Sequence, residues 1–198
     1  MAEVLVLYYS RTGAVARLAE VMAAAINSIP GVEAKVRTVP PVVADIEGSG
    51  EAVPTNGPLY CELDDLRNCD GLLLGSPTRF GNMAAPLKHF LDQTGSLWAS
   101  GDLIGKPAGV FTSSSSLHGG NESTLLTMML PLLHHGMLVQ GVPYSEAALH
   151  ITKGGGTPYG ATHVSFNKSG EVRLSEEEES IAAASGRNIA KLVLRLTS

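Results

Sequence analysis

Apolar residues in this chain fall into short unbroken runs rather than alternating stretches: VLVLYY at 4–9, GLLLG at 71–75 and AGVF at 108–111. Runs of this kind suit strands of a parallel sheet that is covered on both faces by helices. The pattern predicts five strands, at 4–8, 34–38, 71–74, 108–112 and 137–142. Helices are predicted at 14–26, 84–94, 122–134 and 176–196. Strands alternating with helices define an α/β protein, a doubly wound parallel sheet with right-handed crossovers. The last helix carries the clearest signal. Ser175 is a good N-cap, and Glu178 three residues on completes a capping box. Ile181, Ile189, Leu192, Val193 and Leu196 then share one face. Two stretches follow neither period. Residues 40–58 read as a surface excursion. Residues 141–170 carry GGGTPYGA and a hairpin turn at Asn167-Lys168-Ser169-Gly170.

A length of 198 residues fits one domain, 1–198, with a substantial core. The net charge of −5 and the lack of any Lys or Arg run argue against a nucleic-acid partner. Charged residues make up 17 % of the chain, against roughly 25 % in a typical one. That shortage suits a surface partly covered by subunit contacts. The one dense charge run, 176–179, reads as a solvated helix start. Cys61 and Cys69 are too few for a disulfide framework or a four-ligand zinc site, and read as reduced thiols. The first residues form a strand rather than a targeting signal, and no run approaches the ~18–20 apolar residues of a membrane span. The expectation is a soluble, cytoplasmic protein without integral membrane contact.

Ligands of an open parallel sheet bind beyond the carboxyl ends of its strands. The first strand runs into SRTGAV, the third into SPTRFGNM and the fourth into TSSSSLHGGNE, all rich in small and hydroxyl residues. A strand turning through a hydroxyl- and glycine-rich loop into a helix is suited to hold a phosphate, because the helix N-terminus offers N–H groups and partial positive charge. Each loop alone has a plainer reading, as an N-cap turn, a Pro-Gly bend or a flexible serine stretch. Three such loops together favour one polar, planar ligand. Trp98, in GSLWASG, suits either a core position or the aromatic wall of a pocket. His134 and His135 are adjacent and point in different directions, so they do not form a two-toothed metal site. There is no P-loop, no G-x-G-x-x-G after the first strand and no G-x-S-x-G elbow. A phosphate loop without catalytic carboxylates favours a mononucleotide that is held rather than cleaved.

The first loop is similar to the FMN-phosphate loop of flavodoxins. The blocks GSPTRFGNM (75–83), FLDQTGSLWASG (90–101), HHGM (134–137) and GGTPYGA (155–161) resemble the WrbA family of flavodoxin-like NAD(P)H:quinone oxidoreductases. The resemblance spans essentially the whole chain. It implies a five-stranded sheet of order 2-1-3-4-5 with an insertion near strand five. It also implies a homotetramer with one FMN per subunit and NADH or NADPH as co-substrate. The activity it implies is two-electron, ping-pong hydride transfer to a quinone.

Carried over, Ser10, Arg11, Thr12, Gly13, Ala14 and Val15 hold the phosphate. Pro77, Thr78, Arg79, Phe80 and Gly81 border the ribityl chain and ring. Ser113, Ser114, Ser115, Ser116, Leu117, His118 and Gly119 flank the ring. His134 lies beside it as the catalytic donor, and Trp98 and Phe80 line the substrate face. Two departures stand out: Thr12 replaces a frequent aromatic residue, and the SSSSLHGG loop is one residue longer. The alternatives are a flavodoxin-type electron carrier, which is usually far more acidic, and a partner-binding protein that keeps the fold.

Overall fold

The unbroken apolar runs build the middle of the sheet. In chain order, the computed structural model has β1 (Ala2–Tyr8), α1 (Ala14–Asn27), β2 (Val32–Thr38), α2 (Leu63–Asn68), β3 (Gly71–Pro77), α3 (Ala85–Asp92) and α4 (Gly95–Ser100). Then come β4 (Pro107–Ser114), α5 (Asn121–His134), β5 (Leu138–Val139), α6 (Ala148–Ile151), β6 (Ala161–Val164) and α7 (Glu176–Thr197). The structure describes residues 1–42, 53–165 and 172–197. The proposed turn at 167–170 and most of the 40–58 stretch lie outside them.

All pairings within the sheet are parallel, in the order β2-β1-β3-β4-β5, with β6 also beside β4. Successive residues of β1 face opposite sides, as the pleat requires. Val4 and Val6 pack with Leu18, Met22, Ile181 and Val193 from α1 and α7. Leu5 and Leu7 pack with Leu66, Leu87, Leu97 and Met128, so α2 to α5 cover the other face. Close approach of α7 to α1 depends on Gly186, where a Cβ would lie 2.6 Å from the Met22 carbonyl oxygen. The buried stripe of α7 is therefore Ile181, Ala182, Gly186, Ile189, Ala190 and Val193, while Leu196 is exposed.

The fifth strand is shorter than the expected 137–142. Only Leu138 and Val139 pair, and they meet the start of β4 at Pro107 and Ala108. The upper half of the same edge is taken by β6, which pairs Phe111 to Ser114. Residues 140–160 form the insertion between the two half-strands. Its glycines have a steric reason. A Cβ at Gly141 would overlap the Pro158 carbonyl oxygen, one at Gly155 that of Thr162, and one at Gly160 that of Val110. The GGTPYGA block is thus a piece of backbone pressed against backbone.

The capping box of α7 is present. The Glu178 N–H donates to the Ser175 hydroxyl at 3.2 Å, and the Ser175 N–H donates to Glu178 Oε2 at 3.0 Å. The acidic run is not uniformly solvated, however. Glu176 is exposed, but Glu178 is buried. Its carboxylate accepts from the N–H groups of Gly155 and Val164 and meets His163 Nδ1 at 2.8 Å. A buried carboxylate is retained where its lone pairs are satisfied. Here those bonds tie the insertion to the last helix.

Candidate functional site

The three hydroxyl-rich loops meet at the carboxyl ends of β1, β3 and β4. Gly13 starts α1 in the left-handed region (φ 89°), and its N–H donates to the Ser10 hydroxyl at 3.2 Å. No side chain caps this helix and no acidic residue lies in its first turn. The N–H groups of Ala14 and Val15 therefore face outward without a side-chain acceptor from the cap, beside the exposed Thr12.

The second loop is fixed to the third by two bonds. The Thr78 N–H donates to the Ser113 carbonyl at 2.9 Å, and the Thr78 and Thr124 hydroxyls lie 2.7 Å apart. Arg79 and Asn82 close a tight turn by mutual backbone bonds of 2.7 and 3.0 Å. Within that turn Phe80 takes φ 52°, the one non-glycine residue with positive φ among the described residues, and its ring is fully exposed. A bulky residue held in that region carries strain that the surrounding turn must impose. Gly81 and Gly120 let the loops touch, since a Cβ at Gly120 would lie 3.0 Å from the Gly81 Cα. Arg11 and Arg79 line one cavity, which joins the first loop to the second. Ser113 and Ser114 are buried at the end of β4, so only residues 115–119 are loop; the Ser114 hydroxyl donates to the Ser116 carbonyl. Ser115, Ser116, Leu117 and His118 are exposed above it.

Trp98 and His134 lie elsewhere. Trp98 sits on the short helix α4, not in a loop. The α5 helix starts at the loop end of the sheet and runs down its 14 residues, about 21 Å, to His134. Its far end is marked by the bond from the Leu138 N–H to the Lys106 carbonyl, just before β4 begins. Both residues line an open cleft of about 400 Å3 together with Leu91, Thr94 and His135. Within one subunit the structure does not bring His134 beside the three loops. Trp98 is 60 % exposed, and Leu126, Leu130 and Leu133 form an exposed stripe along α5 that leads toward His134.

His135 is buried beside this cleft. The Thr94 hydroxyl donates to the Leu91 carbonyl, so it accepts from His135 Nε2 at 2.8 Å. Nδ1 is then the bare acceptor of a neutral ring, buried without a partner among the described residues. Burial, and next the adjacent His134, hold the His135 pKa below its ordinary 6.5. Glu178 behaves differently. Burial pushes it up, but bonds from His163, Ser175 and Val164 outweigh that and hold it below 4.5. Both groups favour the deprotonated form in the fold. Their stability is complete above the ordinary value and is lost as pH falls toward the folded one. Urea midpoints are expected to be flat from about pH 7 to 8, to decline from about 6.5 downward, and to fall again below about 4.5. His135→Gln should abolish the first decline and keep the second; an unchanged profile would contradict the assignment. The thiols take no part, since burial pushes Cys69 up to about 11 and Cys61 higher still. Among the described residues no group of three His, Cys, Asp or Glu could hold a metal ion. None of the described helices is long and apolar enough to cross a membrane.

Comparison with known proteins decides the family. A family model described as NADPH-dependent FMN reductase matches residues 9–149. The chain belongs to this family. A protein of Solidesulfovibrio magneticus named NAD(P)H dehydrogenase (quinone) is 41 % identical over 98 % of both chains. One of the same name from Chromohalobacter salexigens is 43 % identical over 99 % of both. Among solved structures, a WrbA-like flavodoxin from Agrobacterium tumefaciens has a TM-score of 0.68 at 21 % identity, covering 98 % of this chain and 99 % of that one. An archaeal flavodoxin has a TM-score of 0.61 at 19 % identity, covering 97 % and 99 %. Both have the flavodoxin-like fold expected from the order β2-β1-β3-β4-β5.

The residues of this FMN reductase family member fit the cofactor that the family name carries. The first loop offers hydroxyls and open N–H groups but no carboxylate, a donor set for a phosphate. Asn121, buried at the start of α5 beside the other two loops, has its Oδ1 without a partner among the described residues. A buried acceptor left bare by the protein is available to a ligand N–H. Sequence reading passed over Asn121, although its place directly after Gly119-Gly120 at a helix start was a usable signal.

Proposed function

We propose that this protein is an FMN-dependent NAD(P)H:quinone oxidoreductase, one domain per chain, working in the cytoplasm as a homotetramer with one FMN per subunit. The observation that carries the reading is the meeting of the uncapped α1 N-terminus, the Phe80 turn and the buried end of β4 at one edge of the sheet. The whole-chain relatives named NAD(P)H dehydrogenase (quinone) support it.

FMN, when bound, supplies the two-electron chemistry that links NADH or NADPH to a quinone. The protein supplies position and electrostatics. Ser10 and Thr12 donate hydroxyl hydrogens, and Gly13, Ala14 and Val15 donate N–H groups, to the phosphate. Arg11 adds charge at the same loop. Pro77, Thr78, Arg79 and Gly81 border the ribityl chain and ring, and Ser113 to Gly119 flank the other edge. Asn121 Oδ1 accepts from a ring N–H. Phe80 forms a flat apolar wall that excludes water.

His134 and Trp98 complete the site from a second copy of the chain. Their cleft and the exposed leucine stripe of α5 share one surface, on which Glu122 and His134 are the only ionisable residues of α5 and Asp92 and His135 the others lining the cleft. Trp98 then walls the substrate face, and His134 donates to a quinone oxygen as negative charge develops there. His134→Ala is expected to slow quinone turnover at least about tenfold while leaving the FMN dissociation constant within twofold. Equal turnover in the two proteins would remove His134 from the reaction. A flavodoxin-type carrier would show no steady NAD(P)H oxidation with benzoquinone unless a separate reductase were added.

A further inference from the structure

The β1–α1 and β3–α3 loops enclose a cavity of about 640 Å3 that shares Arg11 and Arg79 with the proposed FMN site but extends beyond it to Lys88 on α3. Its cationic lining residues are Arg11, Arg79 and Lys88, and no carboxylate lines it among the described residues, in a chain with 14 Lys and Arg against 19 Asp and Glu. Arg11 makes no ion pair or hydrogen bond among the described residues. Arg79 uses only Nη1, which donates to the Thr78 carbonyl at 2.7 Å. Lys88 pairs with Asp92 one helical turn on, in an exposed pair that a stronger anion displaces easily. The remaining wall is Tyr9, the polar Asn82 and the apolar Val42, Met83, Ala84, Ala85 and Pro86.

Three unneutralised or weakly held cations around an aromatic and apolar floor are the chemistry of a phosphorylated nucleoside. The guanidinium forks suit phosphate oxygens, and Tyr9 with Met83 suits an adenine. The FMN phosphate is not the candidate occupant. Its hydroxyl and N–H donors, Ser10, Thr12 and Gly13, do not line this cavity, Arg11 alone of the phosphate loop is shared, and Lys88 stands on α3, on the opposite face of the sheet from α1. We propose that this cavity receives the adenosine phosphate half of the nicotinamide nucleotide, and that Arg11, Arg79 and Lys88 select NADPH over NADH by binding its 2′-phosphate. The inference rests on the reductase reading and names the co-substrate that reading leaves open. A 2′-phosphate carries about −1.5 to −2 charge at neutral pH where NADH has a hydroxyl, so the three cations discriminate between the two.

The test uses the FMN-loaded protein, with adenosine 2′,5′-bisphosphate and 5′-AMP as calorimetric probes and NADPH and NADH as reductants in rapid mixing. The bisphosphate should bind at least about tenfold more tightly than 5′-AMP. Lys88→Gln should reduce that ratio, and the ratio of NADPH to NADH half-saturation, several-fold, and Arg11→Gln should do the same. Lys88 is exposed, so its substitution leaves the fold intact. Equal affinity for the two probes, or a ratio unmoved by Lys88→Gln, overturns the assignment while flavin reduction still upholds the reductase reading. An Arg11→Gln variant that loses FMN but keeps the bisphosphate preference also overturns it, by giving Arg11 to the cofactor. Failure of both nucleotides to reduce the flavin overturns the reductase reading itself, and this inference with it.

Discussion

Ser10→Ala combined with Thr12→Ala is expected to weaken FMN binding by at least about 100-fold. In the proposed site each hydroxyl would donate to a charged phosphate, a bond that contributes about 1.5–3 kcal/mol, and every 1.4 kcal/mol is about a factor of ten in affinity. The pair shares one ligand group, so the losses need not add strictly. The folded protein should hardly notice. Thr12 is exposed, and loss of the one bond that Ser10 accepts within its loop, from the Gly13 N–H, frees that N–H for the phosphate or for water. Quenching of FMN fluorescence on titration with apoprotein measures the effect. A dissociation constant within fivefold of the parent would show that the β1–α1 loop is only a helix cap, and that the flavin is held elsewhere.

Leu130→Glu with Leu133→Glu is expected to give a monomer whose quinone turnover has fallen by at least about 100-fold. Leu126, Leu130 and Leu133 lie at i, i+4 and i+7 on the outer face of α5, and the last two are 57 % and 56 % exposed. Burying such a side chain against a second copy contributes about 1.5–3 kcal/mol. A carboxylate in its place opposes burial much more strongly. The loss of turnover follows from the geometry of α5. His134 is about 21 Å down the helix from the loops of its own subunit, so a monomer would separate this proposed proton donor from the flavin edge. FMN should still bind, because none of the three loops includes these leucines. Light scattering with chromatography gives the mass, and benzoquinone reduction gives the rate. A fully active monomer would mean that Trp98 and His134 play no part in the reaction.

The sheet was legible because burial of β1, β3 and β4 on both faces forces unbroken apolar runs, and such runs survive in sequence whatever their partners. The capping box at Ser175 and Glu178 was legible because it is a contact between residues three apart. What escaped depends on distant pairing. Val142 continues the apolar pattern of strand five, yet its N–H donates to the Pro158 carbonyl inside the insertion, and β4 completes its edge with β6 instead. No local period records that choice. Glu178 looked solvated among four glutamates until His163, Gly155 and Val164 closed around it. The short helix at α4 was hidden by GSLWAS, which has no charge to mark a polar face. The three loops stood out by composition. The separation of His134 from them did not, since a motif gives residue types and not the end of the sheet at which they stand.

The loops after β1, β3 and β4 would hold one flavin, which would supply the two-electron chemistry between a nicotinamide nucleotide and a quinone. Anaerobic double mixing of the FMN-loaded protein tests this most directly, first with NADPH and then with benzoquinone. The flavin's visible absorption should bleach fully after the first mixing. It should return after the second, with one quinol formed per flavin and no second protein present. A flavin that NADPH leaves oxidised, or that stays bleached in the presence of quinone, would contradict this two-electron route.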